Sequence, residues 1–360
     1  MKRVLVLVTL TIGLANLAAA QENNAVPAYD GTHKVAGIIR FCGADGMLSL
    51  VSLWEVGFNK AQHLAHYDTE LYSTAMAIGG LYTKTCDIGL MPRNTWPIEK
   101  LAFHSVLGYD PTMILVATAP VGDQPDGGSQ GEVIYVNRDN PLTELSIKQL
   151  DGIFGGARSG GWTSPMKWTS SHGRGADEDI RNWGQLGLAG EWADKPIHTY
   201  GFDLTVNGFS EGMDTLVFNG GDKWNPNYQE FVKSEPTVAG SSKVLSGQLA
   251  AVAKDRLGIT YGAGMQLAAG HPELKVIAIA GRNSGPYITP SRRTYQDRTY
   301  PLLDSVYLYI NRPPNAPIDP IIKEFLLYVL SKEGQQAVVQ DDSFLPLPSK
   351  DVATERSKLQ

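Results

Sequence analysis

A short glycine-bearing turn has the residue types and spacing best suited to chemistry. It runs Gly43-Ala44-Asp45-Gly46-Met47 and follows the apolar, strand-like stretch from Val35 to Phe41. Apolar residues then recur at helical spacing from Leu48 to Trp54. A strand, a turn and a helix in this order aim backbone N–H groups and the positive end of a helix dipole at one point. Two interpretations stay open: a turn that binds an anion, or an ordinary turn of an α/β protein that binds nothing.

The start of the chain predicts a signal peptide over residues 1–20. Lys2 and Arg3 give a basic beginning, Val4 to Leu17 form an apolar run, and Ala18-Ala19-Ala20 resembles a cleavage site. The apolar run is too short, and too soon followed by polar residues, for a good transmembrane helix. We therefore expect a mature chain that begins near Gln21 and is exported in soluble form.

The composition predicts a globular protein that does not bind nucleic acid. The 360 residues are 42% hydrophobic and 19% charged, with a formal net charge of −6. A nucleic-acid-binding protein normally needs a concentrated basic face, which this balance does not supply. The mature chain, about 340 residues, is long enough for two lobes of ordinary domain size.

The two cysteines, Cys42 and Cys86, each end a strand-like run just before a turn. An exported protein meets a compartment that permits disulfides, so either a disulfide or two buried free thiols is consistent with the sequence. Neither cysteine belongs to a Cys-x-x-Cys or Cys/His spacing, and no zinc site is expected. His63 and His66 lie three residues apart, but a solvated helix face explains them without a metal.

Strands separated by helices indicate crossover connections and therefore a parallel sheet. Chain crossings near Gly108–Pro111 and near Arg298–Pro301 predict two lobes joined by two strands. Lobe I is expected to comprise 28–110 with 300–360, and lobe II 111–299. Nucleophilic catalysis has no specific support in the arrangement of the serine, histidine and aspartate residues, so an enzyme is not expected.

Several short motifs follow one another along nearly all of the mature chain. They are the turn Gly43 to Met47 with Trp54, Ser73-Thr74-Ala75, Ile88 to Arg93, Gln149 to Phe154, Trp183 to Trp192, Tyr300-Pro301-Leu302, Tyr307 to Asn311 and Leu330 to Gln335. Each motif is weak alone. In their order and spacing they resemble the periplasmic phosphate-binding proteins, the substrate-binding components of phosphate ABC transporters.

The resemblance implies an α/β, two-lobed periplasmic-binding-protein fold of type II. Each lobe would be a mixed or parallel sheet flanked by helices, and a two-strand hinge would let the lobes close on the ligand. It also implies a periplasmic protein that captures a small oxyanion, phosphate or a related one, without cofactor or metal. The expected partner is the membrane component of an ABC transporter or another envelope protein.

In this family, turn N–H groups, serine and threonine hydroxyls and an arginine hold the oxyanion. Ser73 and Arg93 have the residue types that the family has at these positions. Asp45 also matches, and its carboxylate would either accept a proton from the oxyanion or cap the following helix. The ligand-binding residues that the resemblance implies are Ala44, Asp45, Gly46, Met47, Ser73, Met91, Arg93, Asn207 and Gly208.

Several of the family's side-chain donors are replaced. Ala44 and Gly46 stand for a serine and a threonine, Pro92 for a serine, Phe202 for an arginine, and Val206-Asn207-Gly208 for Ser-Gly-Thr. At about 1.5–3 kcal/mol for each charge-assisted hydrogen bond, four lost donors would cost at least about 6 kcal/mol of binding free energy. This loss motivates an alternative function, a scaffold that no longer binds phosphate and serves as a protein-interaction or envelope-complex component.

The segment 157–179 is rich in glycine, serine and tryptophan and shows no clear periodicity. We interpret it as a long surface excursion, a kind of loop that is often functional. Arg158, His172 and Arg174 within it are candidates to supply the anion contacts that the replaced residues no longer provide.

Overall fold

The structure is a computed structural model of the chain. It describes residues 26–118, 132–163, 167–204, 207–232, 238–262, 270–283, 285–303, 305–341 and 343–360. The signal peptide expected over residues 1–20 lies outside this range. In the part of the chain that the structure describes, none of the helices has the length and apolar character needed to cross a membrane.

The described residues form two compact units. The first unit combines the residues up to Met91 with Pro111–Thr118 and Val306–Gln360, and the second combines Pro92–Asp110 with the described part of Ala119–Ser305. Each unit contains its own five-stranded sheet. The lobe boundaries expected from the sequence stay a prediction.

The strands and helices alternate along much of the chain. The strands are β1 Ala36–Gly43, β2 Leu64–Leu71, β3 Ile88–Met91, β4 Thr112–Thr118, β5 Val133–Asn137, β6 Glu144–Ser146, β7 Gly161–Thr163, β8 Lys167–Thr169, β9 His198–Phe202, β10 Gln229–Phe231, β11 Gly258–Gly262, β12 Leu274–Val276, β13 Ala278–Ala280 and β14 Ser305–Ile310. The α-helices are α1 Leu48–Asn59, α2 Ala75–Thr83, α3 Pro97–Leu107, α4 Ile147–Phe154, α5 Gly208–Gly212, α6 Val238–Lys254, α7 Arg292–Gln296, α8 Pro320–Val329, α9 Lys332–Asp341 and α10 Ser349–Ser357.

The sheet of the first unit has the order β2-β1-β3-β14-β4. β1 is parallel to both β2 and β3, whereas β14 is antiparallel to β3. The sequence analysis missed β2, whose residues around Tyr67 and Thr69 are polar. An edge strand of this kind leaves alternate residues half-exposed or exposed, so it lacks the apolar run of a central strand.

The core of the first unit joins distant parts of the chain. On α1, the side chains of Leu50, Trp54 and Phe58 are fully buried. Trp54 Nε1 donates a hydrogen bond to the Gly334 carbonyl at 2.9 Å, and the Phe58 ring packs at right angles on Phe325 of α8. Helix α1 is therefore held against the C-terminal helices of the chain, and this contact fixes the position of the turn before it.

The sheet of the second unit has the order β10-β9-β11-β5-β12. β9 is parallel to β10 and β11, and β5 is antiparallel to β11 and β12. With helices around a mixed sheet in each unit, the predicted α/β class is confirmed. The segment 157–179, expected to be a loop, instead contains the hairpin of β7 and β8, in which Trp162 pairs edge-to-face with Trp168.

Candidate functional site

The glycine-bearing turn is attached to the neighbouring strand. Gly43, the last residue of β1, has a φ of +136°, and a Cβ there would lie only 2.2 Å from the Leu90 carbonyl oxygen. Only glycine fits such a close approach of two backbones. The next N–H, of Ala44, donates to the same carbonyl at 3.0 Å. The turn therefore leaves the sheet at a fixed angle, directly beside the end of β3.

The turn itself forms a short 3₁₀-helix, Asp45–Met47, that leads into α1. Ala44 and Met47 are buried, whereas Asp45 and Gly46 are exposed. Asp45 Oδ1 accepts the Gly46 N–H at 2.9 Å, and the Met47 N–H donates to the Ala44 carbonyl at 3.2 Å. In this structure the Asp45 carboxylate thus satisfies a backbone donor of its own turn, and it would have to share that donor with an incoming anion.

Ser73 and Met91 lie beside this turn. The Ser73 N–H donates to the Gly43 carbonyl at 2.9 Å, and Ser73 Oγ accepts the N–H of Ala75, the first residue of α2, at 3.3 Å. A hydroxyl that accepts one hydrogen bond still has its own proton to donate. Met91 is the buried last residue of β3. The predicted residues of the first unit therefore come together where β1 and β3 end.

Arg93 belongs to the second unit and is almost completely buried, with 1% of its side chain exposed. Its guanidinium donates to both Glu99 carboxylate oxygens, at 2.9 and 2.7 Å, and to the Asn94 carbonyl at 2.7 Å. It also lies over the Trp96 ring, 4.4 Å from the ring centre. Glu99, which the sequence analysis did not identify, thus neutralises and orients the arginine expected to bind an anion.

Asn207 and Gly208 lie at the start of α5. Asn207 Oδ1 accepts the Phe209 N–H at 2.9 Å and so caps this helix. A Cβ on Gly208 would lie 3.4 Å from Arg93 Cδ, so the helix start packs directly on the arginine side chain. The predicted residues of the second unit, Arg93, Asn207 and Gly208, therefore also come together.

Phe202 occupies the position where the family resemblance implies an arginine. Its ring is buried and stacks on Phe209, with 4.9 Å between the ring centres. The Phe202 carbonyl accepts a hydrogen bond from Tyr228 Oη at 2.8 Å. The apolar replacement is therefore part of the core of the second unit. Val206 lies outside the described residues.

Two further charged residues lie on the helices next to Arg93 in the second unit: Lys100 follows Glu99 on α3, and Glu211 lies on α5, which begins at Gly208. Burial lowers the pKa of Lys100, and the charges of Asp110 and Glu211 oppose this shift. Glu211 is buried on α5 and accepts a hydrogen bond from Thr215 at 2.9 Å. The surroundings of Arg93 are consequently not uniformly positive.

Cys42 and Cys86 form a disulfide, with 5.9 Å between their Cα atoms. The bond links the end of β1, one residue before Gly43, to the segment that enters β3. A cavity of about 240 Å³ adjoins the disulfide and is lined in part by Arg40, Asp68 and Glu70. The disulfide therefore ties the end of β1, just before the turn, to the segment that precedes β3.

The candidate residues of segment 157–179 are engaged elsewhere in the second unit. Arg158 and Arg174 are buried around Asp151 of α4, and His172 Nδ1 lies 2.8 Å from the Asn219 carbonyl oxygen. Asp151 was missed by the sequence analysis, although an aspartate on the apolar face of a short helix is a signal for a buried ion pair.

Over the described residues, no group of three or more His, Cys, Asp or Glu side chains is placed to hold a metal ion. The predicted site residues of the first unit offer backbone N–H groups and a serine hydroxyl, and those of the second unit offer an amide and a guanidinium. Such donors bind an anion through hydrogen bonds and charge.

The two relatives described next, found by comparison with known proteins, carry the same name, phosphate-binding protein PstS. No protein-family model matches the chain. It is 28% identical over 347 residues to the phosphate-binding protein PstS of Pseudomonas aeruginosa, covering 96% of this chain and 94% of the relative. The phosphate-binding protein PstS of Staphylococcus saprophyticus is 25% identical over 230 residues, which cover 64% of this chain and 59% of the relative.

Two solved structures show the same fold. An ABC-type phosphate transport receptor from Vibrio cholerae superposes with a TM-score of 0.54 at 16% identity, covering 86% of this chain and 100% of the receptor. PstS from Borrelia burgdorferi gives a TM-score of 0.52 at 14% identity, covering 86% of this chain and 98% of the other.

Proposed function

Because the chain belongs to the PstS-like family of phosphate-binding proteins, we propose that it captures phosphate or a related small oxyanion for an ABC transporter. It acts in the periplasm as a binding protein without catalytic chemistry, and its two lobes close on the ligand. Its partner is the membrane component of that transporter.

The observation that carries this proposal is the local assembly of the predicted residues. Two backbone hydrogen bonds hold the turn and its neighbours together at the ends of β1 and β3. The Ala44 N–H donates to the Leu90 carbonyl, beside Met91, and the Ser73 N–H donates to the Gly43 carbonyl. Arg93 and Gly208 come together in the second unit. In α/β folds, ligands bind beyond the carboxyl ends of the parallel strands, which is where β1 and β3 end.

The donors suggest how an oxyanion is held. Ser73 Oγ–H donates one hydrogen bond, and the exposed Gly46 N–H turns from Asp45 to the ligand. In the second unit, Arg93 is the candidate cation, and its bidentate pair with Glu99 orients it. Asp45 accepts a hydrogen bond from the O–H group of a singly protonated oxyanion. The Gly46 N–H and the Ser73 hydroxyl compensate in part for the hydroxyl donors that the chain lacks.

Isothermal titration calorimetry of the mature chain with inorganic phosphate, after exhaustive dialysis, tests the function. We expect saturable binding with a dissociation constant in the micromolar range or below. Sulfate and arsenate titrations under the same conditions define the oxyanion preferred. Absence of heat and of thermal stabilisation with all three anions would overturn the proposal and leave the interaction scaffold as the function.

A matched pair of variants tests whether Arg93 binds the anion. Arg93→Met and Glu99→Gln both break the same buried ion pair, so a purely structural role would change affinity similarly in both. If Arg93 contacts the ligand, Arg93→Met weakens phosphate binding by about tenfold or more, the cost of one charge-assisted hydrogen bond. Glu99→Gln leaves the guanidinium charge less neutralised and does not weaken binding. Equal losses in the two variants would remove Arg93 from the site.

A further inference from the structure

Arg158 and Arg174 lie side by side in the second unit. They form an isolated antiparallel bridge, in which each backbone N–H donates to the other's carbonyl at 2.9 Å. Directly opposed residues of such a bridge project to the same side, and like charges placed there repel each other. Both side chains are nevertheless buried, with 3% and 4% of their surface exposed. Such a pair needs negative charge close by.

Asp151 provides one negative charge to three guanidinium groups. Arg158 donates to both carboxylate oxygens, at 2.7 and 2.6 Å. Arg174 Nε lies 3.1 Å from Oδ1, and Arg282 Nη1 lies 3.3 Å from Oδ2. Arg158 thus takes up the carboxylate with good geometry, while Arg174 and Arg282 remain at its edge.

The neighbouring ionic groups do not remove the excess positive charge. Arg174 Nη1 pairs with Asp179 at 2.8 Å, but the other Asp179 oxygen pairs with Arg181 at 2.9 Å. Asp214 interacts with Arg158, yet burial raises the pKa of its carboxyl well above the usual range, so its negative charge is disfavoured. Within the described residues, these ion pairs join four arginines to two aspartates. We call Arg158, Arg174, Arg181 and Arg282 the arginine cluster.

One donor of the arginine cluster points to a missing acceptor. Arg174 Nη2 is buried and has no hydrogen-bond partner among the described residues. A buried N–H of a charged group is rarely left without an acceptor. Arg282, on the same carboxylate, keeps 28% of its side chain exposed and so connects the cluster with solvent. We propose that a tetrahedral oxyanion binds at the arginine cluster, accepting hydrogen bonds from Arg174 Nη2 and Arg282.

This site is separate from the ligand site proposed above, because none of its residues belongs to the predicted ligand-binding set. Equilibrium dialysis with radiolabelled phosphate counts the sites. We expect two phosphates per wild-type chain, and one in Arg174→Gln, whose remaining site keeps its affinity within about twofold. The control Arg256→Gln removes an exposed arginine of the same unit, paired with Glu191 at 3.1 Å, and keeps both sites.

The same experiment distinguishes failure of the proposed function from failure of this inference. If only the arginine cluster binds, wild type binds one phosphate, which Arg93→Met retains and Arg174→Gln loses. If wild type and Arg174→Gln bind equal numbers, the inference is wrong. A measurement on the unmodified protein avoids any folding defect of the variant: crystals soaked in arsenate should show an anomalous peak at hydrogen-bonding distance from Arg174 Nη2. Its absence at saturating arsenate would overturn the inference.

Discussion

Reduction of the Cys42–Cys86 disulfide should destabilise the protein strongly. The two cysteines are 44 residues apart in sequence, so the bond closes a loop of that length in the unfolded chain. Removing the loop-closure constraint restores chain entropy equivalent to about 4 kcal/mol of unfolding free energy at 25 °C. With a urea dependence of about 2–3 kcal/mol per molar, the unfolding midpoint should fall by roughly 1.3–2 M.

Urea unfolding of the mature chain, oxidised or fully reduced, measures this effect. Phosphate is dialysed away first, because a bound ligand adds its own stabilisation. A thiol titration verifies that both cysteines are free in the reduced sample. The double variant Cys42→Ser with Cys86→Ser is the matched control, since reductant should leave its unfolding curve unchanged.

The result also bears on the anion site. The disulfide adjoins Gly43, and the turn that follows depends on two backbone contacts, Ala44 N–H to Leu90 and Ser73 N–H to Gly43. We expect reduced protein to bind phosphate more weakly even where it remains folded. If reduced and oxidised proteins unfold at the same urea concentration, the bond does not stabilise the protein by constraining its unfolded chain.

Three further predictions concern buried polar groups. Because burial raises the pKa of Asp214, stability should fall as pH rises from about 4 through the folded-state pKa, and Asp214→Asn should flatten this slope in thermal unfolding scans; an unchanged slope would contradict the assignment. Trp54→Phe should lower the free energy of unfolding measured in urea by about 1–3 kcal/mol, since it removes the indole N–H that donates to the buried Gly334 carbonyl. An unchanged free energy would mean that water takes the place of the indole N–H. Arg158→Met should lower the free energy of unfolding by about 3 kcal/mol or more, because the buried Asp151 carboxylate loses the two hydrogen bonds that Arg158 donates. An unchanged free energy of unfolding would show that the remaining arginines neutralise this carboxylate.

Much of the fold could be predicted from local patterns. The apolar run before Gly43 and the helical spacing from Leu48 to Trp54 predicted β1 and α1, both of which the structure contains. The mixed α/β class also follows from strands that alternate with helices. The edge strand β2 could not be predicted in this way, because its half-exposed residues carry little apolar signal.

The candidate site was predictable in its residue types but not in its partners. Ser73 and the turn at Gly43 are distant in sequence, and only the backbone hydrogen bond between them places the serine at the turn. The sequence also suggested that Arg158 and Arg174 supplement the anion contacts. They instead surround Asp151, because a buried guanidinium needs a carboxylate close to it.

The sequence by itself determined the class of fold, the position of the glycine-bearing turn and the kind of donors near it. These depend on hydrophobic periodicity and on residue types that act over a few neighbouring positions. Only the tertiary structure decided which charges are already neutralised: Glu99 pairs with Arg93, whereas Asp151 is shared among several arginines. Such pairings depend on burial and on distances of a few ångströms, and the contact of Asp151 with Arg282 joins residues 131 positions apart in the chain.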